Sequence, residues 1–345
     1  MTQRGDEMSL TFIDFFAGVG GFRKGMEMAD HKCVGHCEWD KFANMSYKEI
    51  HSPKEDEWFG TDIRNVKATE LPRADCWCFG FPCQDISVAG EQGGIQGKRS
   101  SLFFTVTGLN EDTKKEDKPK YLFIENVKNL LSINRGFDFT RLLIEMDKIG
   151  YDAEWQVINS RDFGVPQNRE RVFIIGHLRE RSTRKIFPIT GTSQSVGVSI
   201  KRIAHANNFR RYNQTYDVNS SVESLDTCQG GGRQPCVKVV ENVNPSGKGM
   251  NGQVYDSEGL AATLTTNKGE GNKIFVRAVS APNRYGVEIQ GRIRKLTPKE
   301  CWRLQGWPDE DFEKAAKVCS NSQLYKQAGN GVTVNVIYEI AKRMS

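Results

Sequence analysis

The chain has 345 residues, with 48 Lys plus Arg against 43 Asp plus Glu and a formal net charge of +5, a length that suits one large or two smaller domains. Hydrophobic residues at 38% and charged residues at 26% exclude wholesale disorder. No apolar run approaches the ~18–20 residues of a membrane span, and Met1–Ser9 lacks the apolar stretch of a secretory signal, so the nine cysteines are expected as reduced thiols of a cytoplasmic protein.

Residues 10–180 alternate short apolar runs with helical patterns. Strands are predicted at Thr11–Phe15, Lys32–Cys37, Ala74–Phe79, Tyr121–Glu125, Ala153–Ile158 and Arg171–Gly176. Helices are predicted between them at Gly21–Met28, Lys41–Ile50 and Phe139–Lys148. This alternation implies βαβ units, an α/β class and a mostly parallel sheet, whose ligands bind at the C-terminal strand ends. After Phe187-Pro188 the chain turns rich in Gly, Ser, Thr and Asn with no helical period, which predicts a smaller, irregular β-rich domain over 189–295. Within it, Tyr216-Asp217 and Tyr255-Asp256 each lead towards a glycine-rich tip, Gly230–Arg233 and Lys268–Lys273. Helix returns at Thr297–Gln305, where Thr297 and Glu300 make a capping box around Pro298 at the first helical position. A last helix is predicted after Asn330, near Val334–Met344.

The charge is unevenly spread. Residues 189–295 hold 14 Lys plus Arg and 8 Asp plus Glu, so this segment carries +6 and the remainder −1. A basic segment beside a near-neutral remainder fits a polyanion surface on one lobe, and equally a solvated basic face.

Several segments carry chemistry. The first strand runs into Asp14-Phe15-Phe16-Ala17-Gly18-Val19-Gly20-Gly21, a strand, glycine turn and helix suited to a nucleotide-type ligand. Its spacing is Gly-x-Gly-Gly, not that of dinucleotide sites. Glu38 ends the second strand, where a carboxylate can take two ribose hydroxyls, and Asp62 can face an adenine amino group. Pro82-Cys83-Gln84 places a thiol where a strand ends, a plausible nucleophile or an inert small residue. The glycine-rich, partly basic stretch Gln84–Ser101 is a candidate lid. Glu125 at a strand end can donate a hydrogen bond or act as a general acid, or it can cap the next helix. Arg169 and Arg171, two residues apart, point to one face and can fork a carboxylate, a carbonyl or a phosphate. His31, Cys33, His36 and Cys37 lack zinc-finger spacing, and Cys33, Cys37, Cys76 and Cys78 read as buried thiols.

Together these segments resemble the DNA cytosine-5 methyltransferases of the bacterial restriction–modification type. The matching blocks, in that family's order, are Phe15–Gly21, Glu38-Trp39-Asp40, Asp62-Ile63, Gly80–Gln84, Glu125-Asn126-Val127, Gln167–Arg171, Arg294–Trp307 and Gln327–Val332. They span nearly the whole chain, and residues 189–295 match least well.

The resemblance implies a Rossmann-like S-adenosylmethionine-dependent domain over 1–188, a target-recognition domain over 189–295, a hinge region over 296–320, and a C-terminal helix over 321–345 returning to the first domain. It implies a methyl transfer from S-adenosylmethionine to C5 of a cytosine flipped out of a short specific duplex sequence, with S-adenosylhomocysteine as product and no metal. Cys83 attacks C6, Glu125 contacts N3 and the exocyclic amine, and Arg171 binds O2 and braces Glu125, with Arg169 beside it. Phe15, Ala17, Gly18, Gly20, Gly21, Glu38, Trp39, Asp62, Ile63, Pro82, Asn330 and Val332 are implied cofactor contacts. Gln84, Ser87 and Arg99 are implied DNA contacts, and Arg233, Thr263 and Lys268 are candidates on the glycine-rich tips; Ala89 stands where some members carry a second loop serine. The resemblance also implies double-stranded DNA as partner, a cognate restriction endonuclease acting separately on the same site, a monomer, and a bacterial or phage protein held at the nucleoid through DNA. An RNA cytosine methyltransferase, a catalytically silent DNA-binding protein and an NAD-type oxidoreductase are the competing readings. The Cys83, Glu125 and Arg171 set argues against the silent protein, and the Pro-Cys-Gln and Glu-Asn-Val segments argue against the oxidoreductase.

Overall fold

The computed structural model describes residues 9–81, 101–191 and 296–344, together with the backbone of the strands between 202 and 295. One seven-stranded sheet organises the first part. Its strands are β1 (Thr11–Phe15), β2 (Lys32–Cys37), β3 (Trp58–Gly60), β4 (Cys76–Gly80), β5 (Tyr121–Val127), β6 (Tyr151–Asn159) and β7 (Glu170–Leu178). They lie in the order β3-β2-β1-β4-β5-β7-β6, and β7 alone runs against the others. The predicted mostly parallel sheet is therefore present. The chain order reverses between β1 and β4, and that crevice is where such sheets bind ligands.

Period-two alternation on these strands makes two cores. Ile13, Phe15, Trp77, Phe79, Leu122 and Ile124 face α3 (Ser101–Asp112) and α4 (Phe137–Lys148). Phe12, Cys76, Cys78, Phe123 and Ile175 face α1 (Gly21–Met28) and α8 (Val334–Ala341). The predicted α1 lies at its predicted bounds, and α2 spans Lys41–His51, capped by Asp40, whose carboxylate accepts the Phe42 and Ala43 amides. At Gly25 a Cβ would stand 2.6 Å from Ile337, so α1 and α8 approach closely because glycine has no side chain there.

Four elements, β3, α3, α6 and α7, differ from the sequence expectation. β3 is too short to show a period. The helix α3 begins Ser-Leu-Phe-Phe-Thr-Val, a run whose aromatic and β-branched residues favour strand; burial of Phe103 and Val106 under the sheet decides for helix. In the C-terminal part, α5 (Pro298–Arg303) starts with the predicted Thr297–Glu300 capping box. It is followed by α6 (Asp309–Ala316) and α7 (Asn321–Asn330), which were not read from the sequence. These helices form a third core around Trp302, Trp307 and Leu324, and that core takes in Val19 and Ile50 from the first part of the chain.

Between 202 and 295 the backbone forms a three-stranded sheet, order β10-β9-β8, and a four-stranded sheet, order β11-β12-β13-β14. These strands are β8 (Arg202–His205), β9 (Gln214–Tyr216), β10 (Cys236–Val237), β11 (Glu241–Asn242), β12 (Gln253–Asp256), β13 (Lys273–Val279) and β14 (Ile289–Lys295). No helix among the described residues is long and apolar enough to cross a membrane.

Candidate active site

The turn after β1 is built for close approach. Phe16, Gly18 and Gly20 all have positive φ, and Gly20 N–H closes the turn on Ala17 O at 2.7 Å. A Cβ on Gly20 would stand 2.2 Å from His51 Nε2, and one on Gly21 would stand 2.7 Å from Val332 Cγ2. Above Gly18, by contrast, a Cβ meets nothing within 4 Å among the described residues. Space is therefore open at Gly18 alone, and α1 starts behind it with no side-chain cap.

Glu38 is buried and links this turn to the next helix. Its Oε2 accepts the Gly18 amide at 2.7 Å and its Oε1 accepts the Asp40 amide at 2.6 Å. Burial pushes its carboxyl above the ordinary range, while these amides pull the other way. Each carboxylate oxygen keeps a second lone pair, so the carboxylate can still accept hydroxyl donors. Trp39 beside it is 77% exposed, a large apolar surface. A cavity of about 280 Å³ opens between Glu38, Trp39, Asn44, Phe59 and Thr61.

Two expected contacts are placed differently. Phe15 does not reach the site surface. Its ring is packed edge-on between Trp58 and Trp77 in the core, because alternation along β1 turns it inward, and Phe16 is the aromatic residue in the turn. Asp62 does not stand free to meet an amino group, since both its oxygens are held by Arg64, which draws its carboxyl below the usual range. Ile63 is buried below it.

The second half of the site lies at the ends of β4, β5 and β7. Gly80 pairs with Glu125 across β4 and β5, and a Cβ there would stand 3.3 Å from Glu125 Oε2, so glycine leaves room for the carboxyl. Glu125 does not cap a helix; it and Asn126 lie within β5. Asn126 turns inward and donates to Phe81 O at 2.9 Å, which fixes the end of the β4 segment. Val127 pairs with Arg171 and Glu125 with Phe173, so Arg171 and Glu125 share one face, two positions apart. Arg171 Nε stands 3.1 Å from Glu125 Oε1, an ion pair whose alignment falls short of a hydrogen bond. Both side chains retain some exposure, 15% and 12%.

Arg169 behaves differently although it is close by. It is 3% exposed, and its Nη2 donates to Gly331 O at 2.8 Å. Nε and Nη1 have no partner among the described residues. Burial, reinforced by Arg171 and opposed by Glu125, pulls its guanidinium well below the ordinary range, to about 9.

The segment after α7 returns to the glycine turn. Val332 covers Gly21, while Asn330 is exposed at the helix end. Thr333, not singled out in the sequence, is the hub of this return. Its hydroxyl meets Ser160 Oγ at 2.8 Å and donates to Gln305 Oε1 at 3.1 Å. A threonine directly before an apolar helix is a capping signal that points to it.

Cys33, Cys37, Cys76 and Cys78 are buried thiols. Burial pushes Cys33 and Cys37 up to about 12 and raises Cys78 as well. His31 Nδ1 accepts the Leu10 amide and its other nitrogen meets Ala341 O, so it ties α8 to the first strand. Pro82, Cys83, Gln84, Ser87 and Arg99, with the candidate lid, lie outside the described residues, as do Arg233, Thr263 and Lys268.

The glycine turn and the Glu125–Arg171 pair sit at the same edge of the sheet. β1 and β5 are separated by two strand spacings, about 10 Å. One half offers open backbone, a buried carboxylate and an exposed indole. The other offers a carboxyl braced by a guanidinium. That pairing suits transfer of a group from a nucleoside-type donor to a heterocycle held by Glu125.

Comparison with known proteins agrees with this arrangement. The sequence profile of C-5 cytosine-specific DNA methylases matches residues 10–345. The chain is 33% identical to the type II methyltransferase M.HhaI of Haemophilus parahaemolyticus, covering 96% of this chain and 93% of the relative. It is 33% identical to the orphan methyltransferase M.SPRI of Bacillus phage SPR, covering 97% of both. Among solved structures, the fold is similar to the Dnmt2 methyltransferase of S. pombe, with a TM-score of 0.65 at 18% identity over 96% of this chain and 97% of that one.

Proposed function

The chain belongs to the C-5 cytosine-specific DNA methylase family and is a DNA cytosine methyltransferase, and from that premise we propose that it methylates a flipped-out cytosine in duplex DNA through a covalent bond from Cys83. The observation that carries this reading is the Glu125–Arg171 pair beside Gly80, two strands from the open glycine turn.

Cytosine C6 is out of reach in the stack, so the base leaves the duplex and enters the edge cleft. Cys83 follows Phe81 by two residues in sequence, so at most about 7 Å of backbone separates it from the anchored strand end. Its thiolate adds to C6, and the ring electrons shift towards N3 and C5. Glu125 contacts N3 and the exocyclic amine, and a proton or hydrogen bond from it offsets the charge that builds on the ring. Arg171 holds O2 with Nη2, its Nη1 being bonded to the Glu170 carbonyl, and keeps Glu125 in place through Nε.

The residues of the turn fit S-adenosylmethionine: open space over Gly18, the buried Glu38 for ribose hydroxyls, and the exposed Trp39 with the half-buried Phe16 beside it. Ala17, Gly20, Gly21, Ile63, Asn330, Val332 and Pro82 are the further cofactor contacts in this reading. When bound, S-adenosylmethionine supplies the methyl group that C5 takes. Loss of the C5 proton to a base then expels the Cys83 thiolate and restores the aromatic ring. Residues 189–295, with their +6 excess, hold the duplex and read the target.

A duplex carrying 5-fluorocytosine at a methylated site tests the covalent step. Fluorine cannot leave C5 as a proton does, so the wild-type protein forms a stable adduct on Cys83 and the Cys83→Ser variant does not. A wild-type protein that methylates the plain site yet forms no adduct would contradict the nucleophile assignment.

A further inference from the structure

We infer that Arg169 is a positioning residue for the methyl-donor site rather than a contact to the base. This rests on the reading of the glycine turn as the S-adenosylmethionine site. Arg169 and Arg171 lie two residues apart, yet the structure sends them to different tasks. Arg171 keeps partial exposure and meets Glu125. Arg169 is buried, and among the described residues the one hydrogen bond of its guanidinium runs to a main-chain carbonyl 162 residues further along the chain, Gly331 O.

That carbonyl belongs to the segment that covers the turn. Gly331 precedes Val332, whose Cγ2 and carbonyl oxygen would lie 2.7 Å and 3.3 Å from a Cβ on Gly21. Gly21 opens α1 directly after the turn. A single charge-assisted bond therefore connects the strand end that bears Arg171 to the lining of the donor site.

The main chain of Arg169 is itself fixed. Its amide donates to Asn159 Oδ1 at 3.0 Å, and its carbonyl accepts the Ser160 amide at 2.9 Å. Ser160 in turn meets Thr333 at 2.8 Å. The return segment is thus anchored twice from neighbouring residues, by Ser160 at Thr333 and by Arg169 at Gly331. The Thr333 anchor sits at the start of α8 and fixes the helix. The Gly331 anchor sits on the donor side and fixes how closely Val332 stands over Gly21.

Stability does not account for the arginine. A buried guanidinium bonded to a carbonyl, with no carboxylate hydrogen-bonded to it and Arg171 repelling it, is costly to desolvate. Its bond to Gly331 gives it a positional task.

Titration calorimetry with S-adenosylhomocysteine, on the full chain without DNA, tests this. Arg169→Met keeps the bulk and removes the donor, and it weakens binding at least tenfold. Arg169→Lys keeps charge and one donor but not the fork, and it weakens binding about threefold. This partial rescue separates positioning from mere filling of space. A folded Arg169→Met or Arg169→Lys that binds S-adenosylhomocysteine within 1.5-fold of wild type overturns the inference and leaves the reading of the turn intact. If Arg169→Met does not fold, Arg169→Lys alone decides on the same threshold. A wild-type chain that does not bind S-adenosylhomocysteine overturns both.

Discussion

Arg171 Nε lies 3.1 Å from Glu125 Oε1, across a register in which Val127 pairs with Arg171. The guanidinium therefore reaches Glu125 diagonally through Nε, while its Nη1 donates to the Glu170 carbonyl at 2.8 Å. Glu125→Gln keeps shape and hydrogen bonding but removes the acid, so methyl transfer to duplex DNA is expected to fall by about 10²–10⁴-fold. Arg171→Ala removes brace and O2 contact together and is expected to lose at least as much. Initial rates with labelled methyl donor check both, and a loss below tenfold for Glu125→Gln would remove it from the chemistry.

Gly18 and Gly20 make a second prediction by contrast. Both have positive φ, which costs a side-chain-bearing residue about 1–2 kcal/mol. At Gly20 the added methyl also meets His51 Nε2, and overpacking adds about 1–3 kcal/mol. Gly20→Ala is therefore expected to destabilise by about 2–5 kcal/mol in denaturant unfolding. Gly18→Ala should cost only about 1–2 kcal/mol, yet weaken S-adenosylhomocysteine binding, because its methyl points into the open space.

His51 gives a pH dependence. Burial lowers its pKa from 6.5 to about 3, and its Nε2 donates to Val19 O under the glycine turn. Its folded pKa is depressed, so the neutral ring's contribution is complete above about pH 6.5. It is lost progressively as pH falls towards 3, because the unfolded chain takes up a proton that the folded one refuses. His51→Gln removes one such proton. Between pH 4 and 6 the slope of unfolding free energy against pH should drop by up to about 1.4 kcal/mol per pH unit relative to wild type. Parallel slopes for the two proteins would place the histidine's titration elsewhere.

The +6 of residues 189–295 predicts salt-sensitive DNA binding. Neutralising about five phosphates gives a slope of about −4.5 in log affinity against log salt. Removing those residues' charges by Lys→Gln and Arg→Gln changes should flatten it, whereas the same number of changes on the near-neutral remainder should not.

Much of the sheet was legible because strands buried on both faces read as short continuous apolar runs: β1 and β2 have their expected bounds, and β4 to β7 differ only at their ends. Helix α3 was not legible, since its aromatic start favours strand and only packing under the sheet overrides that. The site was legible where strand position places a residue, as for Glu125, Arg171 and Glu38 at strand ends on one side of the sheet. It was not where a side chain answers a distant one. Nothing local shows that Thr333 gathers Ser160 and Gln305, 173 and 28 residues away, whereas the Arg64 hold on Asp62 and the inward turn of Phe15 are local effects that the motif match passed over.

The central claim is methyl transfer to C5 of cytosine in duplex DNA by a Cys83-dependent route. The most direct measurement incubates unmethylated duplex DNA, and separately tRNA, with labelled S-adenosylmethionine, then digests each to nucleosides for mass spectrometry. The expected result is label in 5-methyldeoxycytidine with the wild-type protein, none with Cys83→Ser, and none in tRNA. Label in tRNA with duplex DNA left unlabelled, or label on any other position of the DNA bases, would contradict the account.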